Sequence, residues 1–269
     1  MIVEFSRRTG EQFGITPAAL GISGWDKTSG IANWQREHFL SPDGWFGPAS
    51  ARAFFLQVGY MLRGLDVGRR RGLHAFYRRS ELPQSILVHD TVTRSAMDME
   101  RILAARGLST HFCIDEMGRI LQYADPGSSW ACHAAAFNQE SIGIDVVNLL
   151  DPAELRMLKP LQVAPVDQER ASRVVDAEWS ASRVKGQAIA WTEAQRIALL
   201  GLIDVLCSVF GIRRVVPTEM AAFGKVQGID DRTFRGVLAH AHFSTKRWDG
   251  LQVVPLLLEA GFDAWRRPE

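Results

Sequence analysis

Ser85-Ile86-Leu87-Val88-His89 decides how the rest of the chain reads. It is a short apolar run of β type that closes on a histidine. Just after it, Ser95-Ala96-Met97-Asp98 opens a helix with an N-cap signature, and Gly107 closes that helix. His111-Phe112-Cys113-Ile114 reads as a second strand. Glu116-Met117-Gly118 makes a turn, and residues 119–123 return as a hairpin partner. Ser141-Ile142-Gly143-Ile144-Asp145-Val146-Val147 is a further strand. Thr192-Glu193-Ala194-Gln195 is a capping box that starts a helix through Leu199, Leu202, Leu206 and Phe210, stopped by Gly211. Residues 236–242 form the last strand, and a helix near 253–260 ends the pattern. Strands alternating with helices, with one hairpin, predict an α/β fold: a mixed central sheet flanked by helices.

The chain upstream reads differently. In residues 1–62, Ile31, Trp34 and Phe39 fit the apolar face of a helix ending near Leu40. Pro42-Asp43-Gly44 and Gly47-Pro48 are turn signals, and Pro48 at a first helical position starts a helix through Ala49, Ala53 and Phe54. This predicts a small helical domain over 1–62. Residues 63–82 carry Arg63, Arg69, Arg70, Arg71, Arg78 and Arg79 with few apolar anchors and read as a solvated basic linker. The α/β domain then spans 83–269, with the polar stretch 151–190, containing Pro152, Pro160 and Pro165, as an insertion or lid.

Composition excludes several classes. Of 269 residues, 46% are apolar and 23% charged, which argues against wholesale disorder. Lys plus Arg number 31 against 30 Asp plus Glu, so no field that would gather nucleic acid is expected. Three cysteines are too few for a disulfide framework. The longest apolar stretch, 199–212, is broken by Asp204 and too short to insert in a membrane. The opening MIVEFSRRTGEQFG lacks the apolar core of a secretory signal.

Four of seven histidines lie at or beside strand ends: His89, His111, His240 and His242. Asp249 follows His240 across a polar loop. Two imidazoles and a carboxylate on neighbouring strand ends would leave a fourth tetrahedral position for water, the arrangement of a catalytic zinc. His240 and His242 share a strand face by period two, and spacing does not choose between them. Cys132 beside His133 invites a cysteine-nucleophile reading, but neighbours in one strand point to opposite faces.

Five segments in order then carry a resemblance: ILVHDT, STHFCIDEMGRILQYAD, WACHAAAFNQESIGIDVVN, the TEAQ helix and VLAHAHFSTKRWDG. Residues 83–262 resemble the zinc-dependent N-acetylmuramoyl-L-alanine amidases of the amidase-2 class, relatives of the peptidoglycan recognition proteins. The resemblance implies Zn2+ held by His89, His240 and Asp249. It implies Asp145 where many members have a catalytic Glu, and Lys246 or Arg247 as the oxyanion donor. Substrate contacts fall on His133, Asn138, Thr110 and Trp130. Thr110 stands where some members carry a catalytic Tyr, and Asp145 is one methylene shorter than Glu. Asp43-Gly44-Trp45-Phe46-Gly47-Pro48-Ala49-Ser50 resembles the signature of a three-helix peptidoglycan-binding module. The implied protein is a peptidoglycan hydrolase, either a phage endolysin or a secreted antibacterial effector with an immunity partner. It would be made in the cytoplasm and act on the wall, in the periplasm, after release by a holin or a secretion machine. A catalytically inactive recognition protein and a cysteine peptidase using Cys132 are the alternatives.

Overall fold

A computed structural model describes residues 2–26, 30–148, 174–179, 184–218, 234–242 and 249–265. The chain opens with three helices, α1 (Ile2–Gln12), α2 (Ile31–Glu37) and α3 (Pro48–Leu62). Pro48 sits in the first turn of α3, where its missing N–H costs nothing. Ile31, Trp34, Leu40, Phe46 and Ala53 close a small core of their own. Gln35 clips the turn: its Nε2 donates to the Asp43 carboxylate at 2.8 Å and to the Trp45 carbonyl at 2.8 Å.

The strands that follow are β1 (Val67–Arg69), β2 (Phe76–Arg78), β3 (Ser85–Asp90), β4 (Phe112–Ile114), β5 (Ile120–Gln122), β6 (Ser129–Ala131) and β7 (Ser141–Val146), with α4 (Ala96–Ala105) between β3 and β4. Next come β8 (Val174–Trp179), β9 (Val184–Ile189), α5 (Glu193–Phe210), β10 (Val215–Pro217), β11 (Val237–Ala239), α6 (Val253–Glu259) and β12 (Asp263–Trp265). Six of the strands form one sheet in the order β1-β5-β4-β7-β3-β11. Only the β4–β5 hairpin is antiparallel within it. The mixed α/β expectation is met.

The two faces of this sheet have different jobs. Ile86, Val88, Ile142, Ile144 and Val146 point one way, into a core with Leu199, Leu202, Ile203 and Leu206 of α5 and Leu56 and Tyr60 of α3. Each fully buried aliphatic side chain there contributes roughly 1.5–3 kcal/mol. The alternate positions, His89 on β3 and Gly143 and Asp145 on β7, point the other way. That face holds His89 and Asp145 side by side. α5 begins with the expected capping box at Thr192 and ends on Gly211 in the left-handed conformation. Ser95 caps α4 by accepting from the Asp98 N–H.

Three expectations need correction. Residues 63–82 are not a solvated linker: β1 is an edge strand of the central sheet and β2 pairs with β6. Arg79, read as a solvated charge, is buried, and its guanidinium donates to the carbonyls of Ser129, Gln139 and Ser141. The last strand stops at Ala239, and His240–His242 is a 3-10 turn. The stretch 151–190 includes the antiparallel β8–β9 pair, while 151–173 and 180–183 lie outside the described residues. The sequence reading also passed over α1.

Candidate metal centre

β3 and β7 run parallel with His89 opposite Asp145, so both side chains leave the sheet side by side at its C-terminal edge. β11 lies on the other flank of β3 and delivers His240 one residue after its end. The chain returns to the same edge at Asp249. His89 Nδ1 lies 3.1 Å from His240 Nδ1, and the Asp249 Oδ2 lies 3.3 Å and 3.0 Å from these two nitrogens. These three atoms form a near-equilateral triangle. Four tetrahedral donors each about 2.0–2.1 Å from a zinc ion stand about 3.3–3.4 Å apart. Donor types and spacing therefore fit one tetrahedral face around such an ion. Among the described residues this is the one group with metal-ligand geometry.

His242 is excluded from this group by the 3-10 turn. Its Nδ1 turns back to accept the Ala239 N–H at 2.9 Å, and the ring is fully buried. His111 is likewise structural. Its Nδ1 accepts from the Gly143 N–H at 3.0 Å and its Nε2 meets the Ser129 carbonyl at 3.1 Å. Burial and the nearby Arg79 charge push its pKa down to about 3, so it is neutral.

A chain of hydrogen bonds holds His89 from behind. Its Nε2 is 3.2 Å from His133 Nδ1, His133 Nε2 is 3.1 Å from Ser141 Oγ, and the Ser141 hydroxyl donates to the Phe137 carbonyl at 2.6 Å. The last bond uses the serine proton, so Ser141 accepts from His133 Nε2–H. His133 Nδ1 then accepts from His89 Nε2–H, which leaves His89 Nδ1 unprotonated toward Asp249 and His240. Burial, with the neighbouring His89 and His111, keeps His133 far below the ordinary imidazole value and therefore neutral. The His133 ring lies flat on the sheet because residue 143 is glycine: a Cβ there would come within 2.8 Å of the ring.

Asp249 is fixed by its neighbour. The Gly250 N–H donates to Asp90 Oδ2 at 2.7 Å, and Asp90 Oδ1 also accepts from Trp191 Nε1 at 2.7 Å and Asn148 Nδ2 at 3.2 Å. Gly250 has φ 83°, and a Cβ there would meet the Val88 carbonyl oxygen at 2.1 Å, so only glycine makes this turn. Burial pushes Asp90 up to about 6. Burial alone would raise Asp249 as well, but its bonds to His240 and His89 hold it well below the usual carboxylate range.

Asp145 faces a cleft of about 320 Å³ that also contains His89, His133, Cys132, His240 and Asp249. Burial raises its pKa, opposed by the neighbouring His89 and by the Thr110 hydroxyl. A buried carboxyl beside the triangle is placed to carry a proton.

The other expected residues fall out as follows. Thr110 is fully buried, and its hydroxyl donates to the Phe112 carbonyl at 3.2 Å. Asn138 is turned to its own loop, its Oδ1 accepting the N–H groups of His133 at 2.9 Å and Ala134 at 2.6 Å. His133 lines the cleft, and Trp130 stacks on Tyr77. Lys246 and Arg247 lie outside the described residues. Burial raises the Cys132 thiol pKa, the reverse of what an activated thiolate needs. The sequence reading missed Asp90, Ser141 and Arg79. The one signal for Asp90 and Ser141 was a polar residue inside an otherwise apolar strand.

A family model for N-acetylmuramoyl-L-alanine amidase matches residues 79–249. Among curated proteins no relative matches. The solved structures that resemble this chain include the endolysin amidase LysCS of Clostridium intestinale URNW, at 16% identity and TM-score 0.37, covering 66% of this chain and 83% of that one. Another is the Drosophila peptidoglycan recognition protein SA, at 12% identity and TM-score 0.42, covering 76% and 96%. The E. coli amidase AmiD, at 18% identity and TM-score 0.38, covers 70% and 62%.

Proposed function

The chain belongs to the N-acetylmuramoyl-L-alanine amidase family, and from that premise we propose that it cleaves the amide between N-acetylmuramic acid and L-alanine in peptidoglycan, using zinc held by His89, His240 and Asp249. The observation that carries this reading is the triangle of donor atoms 3.0–3.3 Å apart with Asp145 beside it in strand register. A zinc ion in that position supplies Lewis-acid polarisation of a carbonyl and makes water acidic enough to attack near neutral pH.

The protein's own groups do the rest. The His133–Ser141 chain keeps His89 in the tautomer with an unprotonated Nδ1, and His240 presents its Nδ1 beside it. Asp145 takes the proton of the attacking water as its oxygen bonds to the lactyl carbonyl carbon. Asp145 then gives that proton to the L-alanine nitrogen as the C–N bond breaks. The products are a free muramic carboxylate and a stem peptide with a new amino terminus. Lys246 or Arg247 supplies the donor for the oxyanion, a role worth roughly 3–4 kcal/mol. The N-terminal helices, 1–62, act as a wall-binding module. The biological setting we favour is wall lysis, by an endolysin or a delivered antibacterial effector.

Mass spectrometry of digested peptidoglycan tests this directly. The expected products are stem peptides beginning with L-alanine and glycan strands free of peptide. Their formation should stop with a chelator and return with added zinc. Persistent activity in excess chelator, or cleavage between two amino acids, overturns the assignment. Thiol alkylation should leave the rate intact, and loss of activity there would favour the cysteine peptidase.

A further inference from the structure

A second groove, of about 700 Å³, opens where the N-terminal helices meet the β2–β6 ribbon. Phe39, Asp43 and Trp45 form one wall, and Tyr77, Arg78 and Ser129 the other. In the ribbon Tyr77 pairs with Trp130, and the two rings stack at 4.5 Å with planes 24° apart. Tyr77 is nevertheless 53% exposed. A flat aromatic ring, backed by a second ring and open to solvent, is a rigid platform with little conformational entropy left to lose on binding. Phe39 adds a second oddity: it holds φ 58°, a left-handed conformation that costs a bulky residue of order 1–3 kcal/mol.

The groove and the metal centre are neighbours along one strand. Ser128 and Ser129 line the groove, while Cys132 and His133 line the cleft that contains Asp145. Three residue steps at about 3.3 Å each separate them, about 10 Å. That is roughly the length of a disaccharide.

We propose that this groove binds the glycan strand of peptidoglycan, with a hexosamine ring lying on Tyr77 and its chain continuing along β6 to the muramic residue in the cleft. The proposal rests on the amidase reading above and gives it a second subsite. Pyranose rings present flat C–H faces that match an aromatic face, and their hydroxyl and acetamido edges need fixed donors and acceptors. Asp43 is such an acceptor, its carboxylate pinned by Gln35 Nε2 and by the Trp45 N–H at 2.9 Å. Arg78 is an exposed donor on the opposite wall. Arg79 also lines the groove, but its guanidinium is taken up by the carbonyls of Ser129, Gln139 and Ser141, so Asp43 and Arg78 are the charged groups left to meet a sugar edge. The Asp43-Gly44-Trp45-Phe46 turn thus divides its work. Phe46 is buried in the helical core while Asp43 and Trp45 border the groove.

The test titrates peptide-free glycan strands into the full-length, zinc-loaded protein and follows tryptophan fluorescence. The wild type should bind them, and Tyr77→Ala should weaken binding about tenfold or more. Tyr77→Trp should keep it, and isolated stem peptide should not displace the glycan. No binding by the wild type, equal binding by Tyr77→Ala, or displacement by the stem peptide overturns the proposal. Binding is read without cleavage, and hydrolysis of a monomeric muramoyl peptide is measured separately. The groove and the amidase reading can therefore fail independently.

Discussion

Replacing Gly143 with alanine isolates what the His133 ring does for the metal centre. The new Cβ would lie 2.8 Å from His133 Cγ and Nδ1. Carbon contacts are comfortable at about 3.5–4.0 Å, so the ring must retreat by about 0.7–1.2 Å. It is tethered at both nitrogens, to His89 at 3.2 Å and to Ser141 at 3.1 Å, and a shift of that size breaks both bonds. Overpacking costs about 1–3 kcal/mol and each lost bond about 0.5–1.5 kcal/mol, so Gly143→Ala should cost about 2–4 kcal/mol of stability after partial relaxation. Losing the support behind a ligand histidine should also weaken zinc binding by about 10–100-fold. Denaturant unfolding reads the first quantity and competition with a chromogenic chelator the second. The sharper measurement is the double variant with His133→Ala. Removing the ring removes the clash, so the double variant should be less destabilised than the sum of the two singles by at least about 1 kcal/mol. Strict additivity, or Gly143→Ala with wild-type zinc affinity, refutes the ring-on-glycine account.

Three further outcomes follow from the site and its surroundings. Asp145→Asn should retain zinc and lose about 10²–10⁴ in rate, as measured by metal content and turnover on a muramoyl peptide, because the amide cannot accept the water proton. His240→Ala should lose zinc, whereas His242→Ala should keep zinc and lose stability, since His242 caps the Ala239 N–H; metal analysis beside thermal unfolding separates them. Asp125 is buried and its pKa is raised from 3.8 to about 6, with burial as the main cause. Its charged form therefore opposes folding, fully above about pH 6 and not at all below about pH 4. Asp125→Asn, which keeps the acceptor for the Gly127 and Ser128 N–H groups, should stabilise the protein at pH 7.5 by up to about 3 kcal/mol. That gain should shrink as pH falls through this window in denaturant titrations.

The sequence was legible where periodicity and burial agree. β3 and β7 are apolar runs that read as strands from their composition, but that they pair, with His89 opposite Asp145, was not in the spacing. The capping box at Thr192 marks α5 by local chemistry alone. Arg-rich residues 63–82 hid two strands because a buried arginine that feeds three carbonyls has the same spelling as a solvated one. The choice between His240 and His242 was not in the spacing: strand and 3-10 turn give the two side chains different neighbours, and only the turn sends His242 inward. Asp90 escaped notice because its importance lies in what it receives, the Gly250, Trp191 and Asn148 donors, which are distant in sequence.

Asn148 has one more consequence. Its Nδ2 donates to the Ile189 carbonyl at 2.8 Å, and Gln252 Nε2 donates to the same oxygen at 2.9 Å. The two ends of the long excursion after β7 are thereby stapled together beside the ligand turn. An excursion closed at its base can change length without pulling on the sheet, since each doubling of a flexible loop costs only about 0.6 kcal/mol. A one-residue slip within β3 or β7, by contrast, would turn His89 or Asp145 into the core. Insertions and deletions in this excursion outside the β8–β9 pair should therefore be far cheaper than any within β3 or β7. The sheet edge that carries His89 and Asp145 stays locked by its register.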